Sequence, residues 1–475
     1  MNIDIKNLWK KNASEVISLL DKKEISIEEV VDSSLDRIKE INPDINAIVT
    51  LINEEEKKEL INNFNNDNNN TLKGMPVLIK DINDVQNMRT TYGSKLYSDN
   101  IPKNSDIIVQ TIEKNGGLII GKTNIPEFAA GSHTYNSVFG LTKNPWNTSL
   151  SAGGSSGGSA AALATGMSWF ASGSDLGGSL RNPASWCGVV GLRPTSGLIA
   201  HGPSNFPFFN LSVDGPMARN VEDLSIFLDA MTDYNIKDPL SFNRKKYSYH
   251  NKLLEKKEEK YIIGFTEDFG IFPCDREVRN MMQNTLKLIQ SLGHEVSNTF
   301  PDMKKSEFCF QTIRAYMFYS SYKSLLEKDI SLIKKEVIWN IEKGKNVSID
   351  DLIKAEEIRA EIYNNTMKYF EKFDFLIVPS ATVPPFNSKQ SWVKKIEDTT
   401  FDNYVSWLMI AASISLTNCP SIAIATSFSK DNAPYGIQIV SAPHKEQKLV
   451  NFAKSIEESI NISEMLPINI NNENF

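Results

Sequence analysis

Residues 151–197 read SAGGSSGGSAAALATGMSWFASGSDLGGSLRNPASWCGVVGLRPTSG. Under a tenth of the chain thus holds eleven of its 25 glycines. A flexible linker of that glycine content would lack apolar residues. Here Trp169, Phe170, Trp186, Val189 and Val190 interleave with an alanine-rich helical pattern. Glycine in such company lets one backbone approach another. Charge is sparse as well: from Asn144 to Leu180 the single ionisable side chain is Asp175, and Arg181 follows at once. The stretch reads as buried, tightly turned and rich in hydroxyls. GGSSGG predicts a turn into a helix over 159–165, then a strand over 168–173 and a second turn over 175–179. Backbone N–H groups exposed at such a helix start suit negative charge.

Outward from this stretch, helices and strands alternate. Residues 5–60 read as helical, with Ser26 and Glu29 as a capping box and Asn42-Pro43 as the end of the helix that follows. Val77-Leu78-Ile79 is a short strand that leads into Lys80 and Asp81. A lysine there reads, alone, as one that snorkels past the strand end to water. Residues 106–115 form an amphipathic helix. The following Gly116 and Gly121-Lys122-Thr123 spell a phosphate-loop pattern, but Leu118, Ile119 and Ile120 between them belong to a strand and not to a cradle. From 247 to 374 the composition turns Lys/Glu-rich and helical, for example over 277–292 and 348–370. Strands return from Phe375, Ser421 and Tyr435, and a helix closes from Lys445.

This pattern predicts one large α/β domain, a layered α/β/α arrangement on a central mixed sheet with a helical insertion. We expect an N-terminal helical part packing on the core (1–70), the α/β core (71–245 and 371–460), a helical insertion of the same domain (246–370) and a tail (461–475). The asparagine clusters at 62–70 and 469–474 read as low-complexity loops or tails.

The chain has 475 residues, 41% of them hydrophobic, and a formal net charge of −7. Without a basic footprint, neither nucleic acid nor an anionic membrane is expected as a partner. The apolar run 405–416 is shorter than the roughly 20 residues of a membrane span and reads as a buried helix. Cys187, Cys274, Cys309 and Cys419 show no CxxC spacing, so free thiols in a reducing cytoplasm are expected, and no secretory signal is visible.

Two hydroxyl-bearing glycine turns in one buried stretch suggest a serine nucleophile with an oxyanion hole. The usual base is missing. Of five histidines none lies within the turns, and no GxSxG elbow occurs, although His133 and His201 could approach in space. No HExxH or comparable metal-ligand cluster is present, so neither a metal nor another cofactor is expected. What remains is a lysine as base.

Together, GGSSGGSAAA, GSDLGGSLRNPASWCGVVGLRPTSG and the upstream GMPVLIKD resemble the amidase signature family. The spacings agree, with 75 residues from Lys80 to Ser155 and 24 from Ser155 to Ser179. Further similarity runs through GKTNIPEFAAGS, SVDGPMARNVEDL and YGIQIVSAP, and only the insertion is poorly covered. The resemblance implies Ser179 as nucleophile, Ser155 as a bridging serine after a cis Gly154–Ser155 peptide, and Lys80 as base. The oxyanion would be held by the N–H groups of Leu176, Gly177, Gly178 and Ser179. Ser156, Asp175 and Arg181 would support the turns. For Lys80 to accept a proton near neutrality, its burial must pull it down from an ordinary ~10.4.

Substrate contacts are expected from the loop at 130–136, with Gly131 and Ser132, from the insertion and from the Trp407 helix. Those walls suggest a small amide with an apolar or aromatic acyl side. A second copy of the chain, as a homodimer, is left open. Two other functions stay in view: the glutaminase subunit of a tRNA-dependent amidotransferase, and a non-catalytic scaffold of the same fold. Against the former, this chain has PTSGLIAHGP where that subunit resembles PTYGRVS, and Trp407-Leu408-Met409 falls near its acidic glutamine-binding position.

Overall fold

The run Val77-Leu78-Ile79 lies in a strand, and alternation along it explains the layering. Val77 and Ile79 enter a core that includes Trp169, Phe170 and Phe227. Leu78 enters another, with Ile120 and the alanines 160–162. Successive strand residues face opposite sides of a sheet, so Lys80 shares the face of Leu78. That face carries the alanine-rich helix of the glycine stretch.

The computed structural model describes residues 3–64, 70–243, 247–255 and 259–470. Eleven strands form one mixed sheet: β1 (Ile48–Leu51), β2 (Pro76–Lys80), β3 (Leu118–Thr123), β4 (Phe170–Asp175), β5 (Val190–Arg193), β6 (Val213–Ala218), β7 (Ile262–Phe265), β8 (Glu295–Ser297), β9 (Phe375–Pro379), β10 (Ser421–Phe428) and β11 (Pro434–Val440). Their order is β1-β3-β2-β4-β6-β5-β10-β11-β9-β7-β8. The runs β3-β2-β4 and β9-β7-β8 are parallel, and all other neighbours are antiparallel. The helices that matter for the site are α1 (Ile27–Ile45), α2 (Gly157–Ala164), α3 (Arg181–Cys187), α4 (Ser306–Tyr322), α5 (Lys335–Lys345), α6 (Ile349–Phe370) and α7 (Met409–Leu416).

Three expectations are corrected. Within 5–60, Ile48–Leu51 is an edge strand paired antiparallel to β3. Helix α1 runs three residues past Asn42, because Pro43 falls in its last turn and the left-handed Asn46 (φ 57°) ends it. The Asn42 side chain then accepts the N–H groups of Ala47 and Ile48 and starts the strand. The stretch 246–370 is not wholly helical: β7 and β8 extend the sheet beyond β9, strands too short to give a readable alternation amid charged neighbours. Of its helices α4 is the one that reaches the site, and α5 and α6 pack against α4. The boundary at 245/246 and most of the asparagine clusters lie outside the described residues. Near the C-terminus the chain is tied down, with Ile468 N–H donating to the Ala164 carbonyl and Arg37 to that of Ile468.

Residues 118–123, spelled like a phosphate loop, are strand β3, where Lys122 is buried beside Thr90 and Asp81. All four cysteines are free and buried. Among the described residues no helix is long and apolar enough to cross a membrane.

Candidate active site

Lys80 is the last residue of β2 and is fully buried. Its Nζ lies 2.8 Å from Ser155 Oγ, 2.8 Å from Ser174 Oγ and 3.4 Å from the Ser174 carbonyl. Burial pulls the ammonium down to about 7, against the opposing pull of Asp214 and Asp175. Among the described residues no carboxylate touches the amine, so loss of hydration decides.

Ser155 precedes α2, and the Gly154–Ser155 peptide is cis. Here glycine is required sterically. Gly153 has φ +76°, and a Cβ on it would lie 2.5 Å from Asn182 Oδ1. A Cβ on Gly158 would lie 2.4 Å from the Asn124 nitrogen. Only side-chain-free backbone lets α2 seat this closely against the strand ends. Ser156 joins the two turns: its N–H donates to the Ser179 carbonyl at 3.3 Å, and its hydroxyl meets the Ser174 backbone at 3.4 Å.

The second turn is built around Asp175, at the end of β4. Its carboxylate accepts the N–H groups of Gly178 (2.9 Å) and Leu180 (3.0 Å) and two guanidinium hydrogens of Arg181 (2.8 and 3.0 Å). Arg193 Nη1 adds a contact at 3.3 Å. All three side chains are fully buried. Burial pushes the Asp175 carboxyl up, but the two arginines outweigh it and hold the group well below the usual range. Arg181 also reaches the Ala411 carbonyl, Ser415 Oγ and Gln438 Oε1, fixing the turn to α7 and β11. One expected oxyanion donor is corrected: the Gly178 N–H is taken by Asp175. The N–H groups of Leu176, Gly177 and Ser179 have no protein acceptor among the described residues.

Ser155, Ser174, Leu176, Gly177 and Ser179 line one cavity of about 280 Å³, together with the expected Gly131 and Ser132. Trp407 does not line it. Its ring stacks 6.3 Å from that of Trp186 in the core, and the cavity wall of this segment is formed by Tyr404, Val405 and Leu408. The expectation placed the right segment and the wrong side of it. His133 is occupied by Ser151 and the Ser388 carbonyl, and burial pulls it down to about 4. His201 lines the cavity and pairs with Asp214 at 2.6 Å. Sequence reasoning missed Ser174, because the strand was expected to end at 173. It also missed Arg193, although Asp175 was the only anion near it in sequence, and Arg314, which lines the cavity from α4. Among the described residues no three His, Cys, Asp or Glu side chains group as a metal site.

The family model described as Amidase matches residues 29–450. A glutamyl-tRNA(Gln) amidotransferase subunit of Thermoanaerobacter pseudethanolicus is 33% identical, over 95% of this chain and 97% of that protein. An acylamidase of Rhodococcus erythropolis is 30% identical, over 94% of each. A solved bacterial aryl acylamidase of the amidase signature enzymes superposes with a TM-score of 0.88 at 23% identity, over 97% of this chain and 99% of that one. The chain belongs to the amidase family. Its class is that of an amidohydrolase acting on C–N bonds.

Proposed function

We propose that the protein hydrolyses carboxylic amides through an acyl-enzyme on Ser179, with Ser155 as proton bridge and Lys80 as base. The observation that carries this reading is the setting of Lys80 Nζ, buried and pulled down to about 7. Its three neighbours can accept the three hydrogens of an ammonium; once neutral, the amine has two hydrogens and one lone pair. The Ser174 carbonyl can only accept, and Ser174 Oγ takes the second hydrogen. The lone pair then receives the Ser155 hydroxyl.

In the first step the Ser179 oxygen bonds to the amide carbon, its proton passes to Ser155, and the Ser155 proton passes to Lys80. The oxyanion is held by the Leu176, Gly177 and Ser179 N–H groups, a contribution typically worth about 2.7 to 4 kcal/mol per donor. The C–N bond then breaks, Ser155 protonates the leaving amine, and Lys80 returns its proton to Ser155. Water repeats the sequence on the ester and frees the acid. The substrate is a small amide with an apolar or aromatic acyl side, for which the rings of Phe128, Phe310 and Phe318 and the side chains of Met317 and Leu408 form the wall.

A second reading, the glutamine-hydrolysing component of an amidotransferase, is favoured by the 33% identity to an amidotransferase chain. The wall from Tyr404 to Leu408 holds no carboxylate for a free α-amino group. Asp238, which also lines the cavity, is engaged by the N–H groups of His201 and Leu240. A fluorophosphonate probe tests the acyl-enzyme: wild type is labelled and Ser179→Ala is not. Equal labelling of folded Ser179→Ala would overturn the assignment, and no labelling of active-site serine in wild type would favour a scaffold.

A further inference from the structure

Arg314 lies on α4, the helix that presses against the second glycine turn. A Cβ on Gly177 would be 2.9 Å from Phe310 Cζ. Arg314 follows Phe310 by four residues, one helical turn and roughly 5–6 Å along the same face. It lines the same cavity as Ser155 and Ser179 and is the only lysine or arginine that does so among the described residues. The residue is 7% exposed.

Its partners are all neutral. One guanidinium nitrogen donates to Tyr404 Oη at 2.5 Å, another to Asn340 Oδ1, and the group lies 4.4 Å from the centre of the Phe318 ring. No carboxylate pairs with it among the described residues. The buried arginines of the nucleophile turn differ, since Arg181 and Arg193 both share Asp175. A buried charge is ordinarily paired with a counter-charge as well as hydrogen-bonded, and arginine cannot escape the need by losing its proton. Arg219, also buried, is held by the Trp9 and Lys11 carbonyls and does not line this cavity, whereas Arg314 opens onto it. The cavity is the side from which that counter-charge can arrive.

We propose that Arg314 recognises a carboxylate on the substrate, so that the preferred amide carries an apolar body and an anionic group remote from the scissile bond. This sharpens the amidase reading given above and rests on it. Tyr404 and Asn340 are positioning residues: Asn340 also donates to Tyr404 Oη at 2.6 Å, which holds the fork of the guanidinium in one orientation. A guanidinium so held offers the remaining N–H hydrogens of its edge to a carboxylate.

The test compares two pairs of amides of matched shape. For a carboxylate on the acyl side, glutaryl 4-nitroanilide is set against pentanoyl 4-nitroanilide. For one on the amine side, N-benzoyl-4-aminobutyrate is set against N-butylbenzamide. In at least one pair, wild type prefers the carboxylated member by about tenfold or more in kcat/KM, the range of a hydrogen bond to a charged group. Arg314→Gln abolishes the preference while changing the neutral substrate no more than a few-fold, and Arg314→Lys restores part of it. No preference in either pair, or an equal loss on both members in Arg314→Gln, overturns the proposal while hydrolysis of the neutral amides continues. If the acyl-enzyme reading itself fails, Ser179→Ala hydrolyses these amides as wild type does, a result independent of Arg314.

Discussion

The backbone N–H of Ser156 donates to the carbonyl of Ser179 at 3.3 Å, so the two glycine turns are hydrogen-bonded to each other directly. Neither turn can shift without carrying the other. The relay proposed here therefore depends on backbone placement as much as on the three side chains.

The first expected outcome concerns the pH profile. With Lys80 held near 7 by burial, kcat/KM rises with pH through about 7 and levels off above it. A steady-state profile from pH 5 to 9 checks this. A flat profile from pH 5 upward is incompatible with Lys80 as base.

Stability should carry the same signature. The folded value of Lys80 lies below its unfolded one, so between about 7 and about 10.5 the unfolded chain binds the extra proton. The sign follows: stability rises with pH through that window, and the cost of burying the amine is fully present below 7. Removing the amine removes this dependence. Urea melts of wild type and Lys80→Met should differ most at pH 7 and below and converge towards pH 10.5. Lys80→Met is inactive throughout.

Ser174 acts as a positioning residue in this scheme. A protonated Lys80 needs more acceptors than a neutral one, so Ser174→Ala weakens the charged form preferentially. The rising limb of the pH profile should move to lower pH, and kcat should fall because the amine is less well aimed. A fall in kcat with an unmoved limb would mark a purely structural serine.

Asp175→Asn leaves Arg181 and Arg193 buried without an anion. We expect a loss of about 3–5 kcal/mol, typical of breaking a buried pair, measured by urea unfolding. Arg193→Met, which keeps the Arg181 pair, costs less. Combined with Asp175→Asn it costs less than the sum of the two, since both changes act on one network.

Trp407→Phe and Leu408→Ala separate core from cavity wall. The first loses packing against Trp186 and should lower stability by about 1–3 kcal/mol with KM unchanged. The second, on the cavity wall, should raise KM for apolar acyl groups. A matched pair of melts and KM values distinguishes them.

The glycine stretch was legible because its pattern is local: the hydroxyls, Asp175 and Arg181 occupy one continuous segment. Lys80 was legible through the lack of a histidine in those turns together with the resemblance, since a lysine at a strand end has, alone, an ordinary alternative. Ser174 was not, because a strand boundary displaced by two residues turns a cavity serine into a loop serine. Trp407 failed on helix phase, as the short turn before α7 is a 3-10 segment of three residues and gives no periodicity from which to tell wall from core. The strands β7 and β8 lie where charged and apolar residues mix without a dominant period, and Arg314 is a lone charge in the run 308–322. What distinguishes that arginine is a missing partner, and absence of a partner is a property of the fold.

The anchoring of Arg181 bears on how the enzyme matures. Its guanidinium is fixed by Ala411, Ser415 and Gln438, which follow it by 230, 234 and 257 residues. A ribosome releases the proposed nucleophile, bridge and base long before these anchors exist. The nucleophile turn is therefore expected to set only once the last strands have joined the sheet, the slow, long-range step of such topologies. Nascent chains and C-terminal truncations would carry every reactive serine and yet remain inert.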